Sequence, residues 1–408
     1  MRKILIIGAG QSGLQLGLSL LEHDYDVTIM SAKTPEEIRD GWVTSTQCMF
    51  CTALSYEQRH GLNLWDDVAT SIAGQGLSVA GENGRELNWT AAWDGPAQSI
   101  DQRVKMSTWL ELFEQRGGKL IIHGVTTADL NSLARLYELV IVAAGKGELV
   151  QLFDRDPANS PFTTPQRALS VAYVHGMQLR PEHPWPNVWM NYVPGVCELI
   201  CIPAYTLSGN CDILYFSAVP GGPADRFGDR PAPDEHLRRV RELLREYIPW
   251  EYERTHDIEI TDSRATLTGG YPPVVRRPVG ELPSGRPVLG MADVVVANDP
   301  ITGQGANNAA KCAESYLGSI LQRGDRPFDR EWMQATFDEY WEHARWVTRF
   351  TNTMLQPPPE HVINILGAAQ ANPAVAKRFV DGFNDPATFR DWFFEPEQAQ
   401  AYLASVTG

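Results

Sequence analysis

At 408 residues the chain is too long for one simple core and too short for three ordinary domains, which predicts two interleaved domains. Hydrophobic residues make up 43% and charged residues 21%, which excludes disordered, collagen-like and disulfide-scaffold classes. A formal net charge of −15 repels phosphate backbones and anionic headgroups, so nucleic acid and membrane surfaces are poor partners while small neutral molecules are not.

The first element is a short apolar strand, Ile4 to Ile7, of the kind buried on both faces of a parallel sheet. Its basic start resembles a signal peptide, but the run leads at once into glycine. Leu14, Leu18 and Leu21 then recur at helical spacing, and Val27 to Met30 reads as a second strand, completing a βαβ unit. Between Leu64 and Trp93, short apolar pieces broken by glycines predict hairpin strands near a substrate. A helix over Met106 to Arg116, a strand over Lys119 to His123 and a buried strand over Leu139 to Ala144 return to the nucleotide-type core. Alternating segments such as Ala168 to Val174 and Ile213 to Val219 predict an antiparallel sheet, with a helix near His236 to Tyr247. Pro287 to Ala292 reads as a last core strand, a helix follows from about Gly303, and the remainder after Trp332 is helical, broken at Pro357 to Pro359. The predicted class is α/β: a Rossmann-like domain in three pieces (1–70, 97–155 and 266–330), an interleaved mixed or antiparallel-sheet substrate domain (71–96 and 156–265) and a helical C-terminal region (331–408).

Gly8-Ala9-Gly10-Gln11-Ser12-Gly13 lies between the first strand and the first helix, the context that gives Gly-x-Gly-x-x-Gly its meaning. Gly8 permits the turn, Gly10 admits a pyrophosphate, Gly13 lets helix and strand pack, and the N–H groups opening the helix at Gln11 and Ser12 face the anion. The acid that binds an adenosine ribose should lie about 20 residues on. The chain has Met30-Ser31-Ala32-Lys33 there, and Glu36 and Glu37 arrive late, which predicts a weak, micromolar hold on the dinucleotide. The far end separates FAD from NAD. Gly290-Met291-Ala292-Asp293 closes a strand with an acid that can accept hydrogen bonds from ribitol. Asp299-Pro300 then feeds the glycine-opened helix Gly303-Gln304-Gly305-Ala306-Asn307, whose N-terminus can stabilise a negative charge on a reduced flavin.

These residues resemble the FAD-dependent aromatic hydroxylase superfamily, and more closely the oxygenase component of the two-component styrene and indole monooxygenases. The likeness also includes Ser99-Ile100-Asp101-Gln102-Arg103, Glu114 to Lys119, Asn159 to Phe162, Pro165 to Ala168 and Phe383-Asn384. The resemblance implies Arg103 against the FAD phosphates, Asp293 against the ribitol, and Pro300 and Asn307 beside the isoalloxazine. Single-component relatives carry Asp-Gly after the strand corresponding to Leu139 to Ala144, where this chain has Ala144-Gly145-Lys146-Gly147, and no second nucleotide motif is present. Reduced FAD is therefore expected from a separate NAD(P)H:flavin reductase.

In the resemblance, indole-oxidising members carry serine, glutamine and methionine at alternating positions of the segment Ser45-Thr46-Gln47-Cys48-Met49, and this chain matches them rather than the asparagine and histidine of styrene-epoxidising members. Alternation points Ser45, Gln47 and Met49 to one side of an extended strand, towards a flat heteroaromatic ring. The implied reaction is epoxidation of the indole C2=C3 bond by molecular oxygen through a flavin C4a-hydroperoxide, with Ser45, Gln47, Met49 and Pro300 around the substrate and no side-chain base required. Styrene epoxidation, a single-component phenol hydroxylase and a non-catalytic prenyl-binding escort are the alternatives. Cys48 to Cys51 lacks a second ligand pair and a cation, the histidines form no metal motif, and the six scattered cysteines read as free thiols of a cytoplasmic protein. No apolar run reaches the roughly 18 residues of a membrane span, and a homodimer is an assembly the sequence leaves open.

Overall fold

The computed structural model describes residues 1–145 and 147–406; Lys146, within the Ala144 to Gly147 reading, lies outside the described residues. The strand β1 (Lys3–Ile7), the helix α1 (Gln11–Leu21) and the strand β2 (Asp26–Ser31) form the first βαβ unit, with β1 and β2 parallel and Ile4 opposite Val27. Ile4, Leu5 and Ile6 are fully buried because helices cover both faces, which is why this strand reads as an unbroken apolar run.

Six strands form this sheet in the order Val279–Glu281, Pro287–Gly290, Leu139–Val142, β1, β2, Lys119–Ile122. All neighbours are parallel except the first pair, a hairpin. A second, eight-stranded sheet runs in the order Glu259–Ile260, Ala168–His175, Gly209–Ala218, Cys197–Thr206, Asn187–Val193, Ile72–Gly81, Gly84–Ala97, with Thr266–Gly269 also on Ala168–His175. Its pairings are antiparallel apart from Ile72–Gly81 with Asn187–Val193, so the sheet is mixed. One of its faces packs on the C-terminal helices through an aromatic cluster that includes Phe350, Phe379, Phe389 and Trp392. Trp89 and Trp93 fasten the hairpin to those helices, donating from their indole nitrogens to the carbonyls of Leu366 (3.0 Å) and Val380 (3.1 Å).

Three local expectations change. The helix predicted from Met106 starts at Gln102, because Asp101 caps it by accepting the Arg103 N–H at 2.8 Å. The strand predicted to reach Ala292 ends at Gly290. Ala292 takes a positive φ of 51°, and Asp293 sits on the short 3-10 turn Ala292–Val294. Ser45 to Met49 is extended but joins no strand; a single bridge pairs Met49 with Gln98. No helix among the described residues is long and apolar enough to cross a membrane.

Candidate active site

The carboxyl ends of the parallel strands converge on Gly8. Its N–H donates to the Met30 carbonyl at 2.9 Å, and the Ala143 N–H donates to the Ile7 carbonyl at 2.8 Å. Gly8 has a φ of +117°, and a Cβ there would lie 2.9 Å from the Ala143 backbone. A Cβ on Gly13 would lie 2.2 Å from the Gly8 carbonyl oxygen, so both positions admit only glycine. Gly10 differs: a Cβ there would meet nothing within 4 Å. It is the N-cap of α1 with no side-chain cap, so the first N–H groups of the helix, at the buried Gln11 and Ser12, open onto free space. The Gln11 carboxamide turns inward and donates to Glu57 (3.0 Å) and Gln15 (3.1 Å). Glu57 is ion-paired with Lys105 in the interior; burial pushes the carboxyl up and the ammonium down.

The second glycine turn lies beside the first. Gln15 donates to the Ala310 carbonyl at 3.2 Å, and Tyr25, just past the end of α1, donates to Ile320 at 3.4 Å near the end of the helix Gln304–Arg323. The two helices therefore run parallel, with both N-termini towards the same end. Gly303 caps the second at a φ of +65°, also without a side-chain cap, and a Cβ on Gly305 would meet nothing within 4 Å. Two positive helix ends thus lie at the same end of the fold, a fixed field suited to an anionic, pyrophosphate-bearing ligand.

Asp293 is exposed at this edge; a Cβ on Gly145 would come within 2.8 Å of its own Cβ, which places it beside the end of the strand Leu139–Val142. Glu37 completes a capping box, accepting the Thr34 N–H at 2.9 Å, so it is committed to its own helix. The expectation for Arg103 is corrected. Its guanidinium is 2% exposed and gives Nε to Asp101 (2.9 Å), Nη1 and Nη2 to the two oxygens of Asp262 (3.0 and 2.8 Å) and Nη2 to Thr206 (3.2 Å). Its donors are occupied by carboxylates and a hydroxyl, so it locks the start of the helix Gln102–Gln115 to the larger sheet rather than presenting a free cation to phosphates.

Between the second turn and the larger sheet lies a small cavity. Pro300 to Gly303 form one wall, Gln75, Val188, Met190, Ile200, Ile202 and Tyr215 a second, and Thr46, Cys48 and Phe50 a third. The period-two alternation of the 45–49 segment holds, but the cavity face is the opposite one. Ser45, Gln47 and Met49 do not line it. Ser45 donates to the Gln47 carboxamide oxygen, Gln47 donates to Tyr173 Oη at 3.4 Å, Tyr173 donates back to the Ser45 carbonyl at 2.8 Å, and Met49 packs on Ala53, Leu54 and Ala310. A period fixes which residues share a face, not which face meets the cavity.

Asn307 joins this segment to the glycine-opened helix through hydrogen bonds to Phe50 and Cys48, and Gln304 donates to the Phe383 carbonyl at 2.8 Å. Asn384 accepts the Thr52 N–H at 3.0 Å, so the Phe383-Asn384 pair stitches the C-terminal region to the site. Sequence reasoning missed Gln75, Tyr215 and Ile301. Gln75 and Tyr215 carry only the signal of strand alternation, which marks every other core residue as well, and Ile301, on the short 3-10 turn Pro300–Thr302, carries none. Burial raises the Cys48 thiol to about 12, so it is a neutral wall residue.

The residues fit FAD. Gly10 and Gly305 leave open space at two uncapped helix ends on one edge, and beside Pro300 the buried Asn298 has no hydrogen-bond partner for either polar side-chain atom. Among the described residues, no group of three histidine, cysteine or acidic side chains could hold a metal ion.

Comparison with known proteins agrees. Residues 145–254 match the family model "Styrene monooxygenase A putative substrate binding domain". The chain is 30% identical to styrene monooxygenase StyA of Pseudomonas fluorescens and 29% identical to that of a Pseudomonas species, each over 405 residues, covering 97% of this chain and 96% of the relative. In fold it is similar to the flavin-dependent brominase Bmp2 (TM-score 0.63, 14% identity, 98% of this chain and 99% of the other). It is also similar to the flavin-dependent halogenase CmlS (TM-score 0.66, 14% identity, 100% and 73%). The chain belongs to the styrene monooxygenase family of flavin-dependent monooxygenases.

Proposed function

We propose that the chain is the oxygenase component of a two-component system that epoxidises a small neutral aromatic alkene, using molecular oxygen and reduced FAD delivered by a separate NAD(P)H:flavin reductase. The observation that carries this reading is the cavity beneath the Pro300 to Gly303 turn, whose lining contains no charged side chain. Such a wall accepts a flat hydrocarbon and excludes bulk water. Bound reduced FAD supplies the two electrons that reduce O2, so that one oxygen enters the alkene and the other leaves as water.

The chain's own residues bind, orient and shield. Gly8, Gly10, Gln11, Ser12 and Gly13 would hold the pyrophosphate, Asp293 would accept from the ribitol, and the helix end at Gly303, Gln304, Gly305, Ala306 and Asn307 would stabilise negative charge on the reduced flavin. Pro300 and Ile301, in the cavity wall, would orient the alkene. Ser45, Gln47 and Met49 act from behind the wall, fixing the register that presents Thr46, Cys48 and Phe50. Residues 1–70, 97–155 and 266–330 hold the flavin, 71–96 and 156–265 form the substrate side, and 331–408 brace both.

Styrene is the favoured substrate on the kinship with the relatives named for it. One observation favours indole as a second. Tyr215 lines the cavity wall, and its buried hydroxyl, beside Ser217, can accept an indole N–H. Incubating the chain with a flavin reductase, NADH, FAD and either compound tests both readings. Styrene oxide supports the first and indigo the second; neither product from either compound contradicts the proposal.

A further inference from the structure

The cavity is one end of a longer trench in the larger sheet. Strand pairing places Gln75 opposite Val188 and Leu77 opposite Met190, then Met190 opposite Ile200 and Tyr192 opposite Glu198. Residues two apart share a face, so these rows run on from the inner cavity into a second, partly open crevice. Met190 and Ile301 line both spaces and form the partition between them. Gln75, 2% exposed, donates from its carboxamide to the Met190 sulfur at 2.8 Å where the two spaces meet.

The crevice is roofed by the end of the helix Arg330–Met354, the Pro357 to Pro359 strap and the helix Glu360–Ala371. Leu77, Met354, Pro358, Val362, Leu366 and Phe379 make its lining predominantly apolar. Its one carboxylate, Glu198, is neutralised by Arg167, which gives Nε and Nη2 to the two carboxylate oxygens at 3.0 Å each. The same guanidinium donates Nη1 to the Leu355 carbonyl at 3.0 Å, tying the strap to the rim. An apolar space of this kind is poorly hydrated and gains by taking up hydrocarbon.

We propose that this crevice is a distal chamber of the substrate site, taking an uncharged aryl or alkyl substituent that projects past Met190 from the reacting alkene. The assignment rests on the inner cavity being the alkene site. Met190 is the residue that sets chamber depth: its flexible thioether can lie along a long substrate or close behind a short one. Anionic substituents are excluded, because the rim cation is already committed to Glu198.

The test uses Thr353→Trp. Thr353 is half-buried and lines the outer crevice but not the inner cavity, so the indole fills the chamber from its rim. Wild type and variant are assayed with reductase, NADH and FAD on styrene and 4-phenylstyrene, and equilibrium dialysis measures binding of the unreactive 4-ethylbiphenyl to the chain alone. The expected result is that wild type epoxidises both alkenes. The variant should lose about tenfold or more in kcat/KM for 4-phenylstyrene and in 4-ethylbiphenyl affinity, with styrene within about twofold. Equal losses on both alkenes make the crevice an entry route and overturn the chamber, as do unchanged values in the variant or no 4-ethylbiphenyl binding to wild type. If wild type oxidises neither alkene while 4-ethylbiphenyl binding still depends on position 353, the enzymatic reading fails and the chamber stands.

Discussion

The side-chain oxygen of Asn307 accepts the backbone N–H of Phe50 at 2.8 Å, across 257 positions of sequence. Its amide nitrogen donates to the Cys48 carbonyl at 2.7 Å, so one carboxamide fixes two wall residues of the cavity to the start of the glycine-opened helix. Replacing it by Asn307→Leu leaves a buried N–H and a buried carbonyl unpaired. The expected loss is about 2–4 kcal/mol in urea unfolding, together with weaker binding of reduced FAD.

The glycine turn separates a folding role from a binding role. Gly13→Ala places a methyl 2.2 Å from the Gly8 carbonyl oxygen and should destabilise the fold by several kcal/mol. Gly10→Ala points its methyl into open space, so thermal stability should hold within about 0.5 kcal/mol. FAD affinity should nevertheless fall about tenfold, measured by calorimetry against a wild-type Kd in the micromolar range.

Burial raises Asp299 from 3.8 to about 6, offset in part by the Ile301 N–H and Arg167. Between pH 4 and 6 the folded chain keeps a proton that the unfolded chain has lost, so stability falls as pH rises through this window and the penalty is complete above it. Asp299→Asn keeps an acceptor for the Ile301 N–H, now at 3.0 Å, and removes the buried charge. It should gain about 2 kcal/mol at pH 7.5 and almost nothing at pH 4 in denaturant titrations.

The Glu57–Lys105 pair sits beneath the first turn of α1, with both side chains almost completely buried. Lys105→Met strands a carboxylate and should cost about 3–5 kcal/mol, whereas Lys105→Met combined with Glu57→Leu should recover most of it. Equal losses in the single and double variants by urea unfolding would show that the pair is not the source.

The parallel sheet was legible because Ile4 to Ile7 and Leu139 to Val142 are continuous apolar runs bounded by glycines, and Gly8 and Gly13 because their geometry tolerates no side chain. Arg103 was not. Its partner Asp262 lies 159 positions away, and only the folded sheet brings them within 3.0 Å. The 45–49 segment shows the same limit on a smaller scale. Its alternation was visible, but the face turned to the cavity is chosen by Asn307 and Tyr173, which lie 128 or more positions beyond Ser45. The Gln75 and Tyr215 contributions to the wall were invisible for the same reason, since a strand residue declares its face only relative to a partner.

If the chain spends reduced FAD on an alkene without handling NAD(P)H itself, one turnover needs neither nucleotide nor reductase. A single turnover tests it most directly: FAD reduced chemically under anaerobic conditions is mixed with the chain and styrene, then with oxygenated buffer, with no NADH and no reductase present. Styrene oxide should approach one equivalent per reduced FAD. Absence of the epoxide, or steady consumption of NADH by the chain and FAD alone when the nucleotide is added, would contradict it.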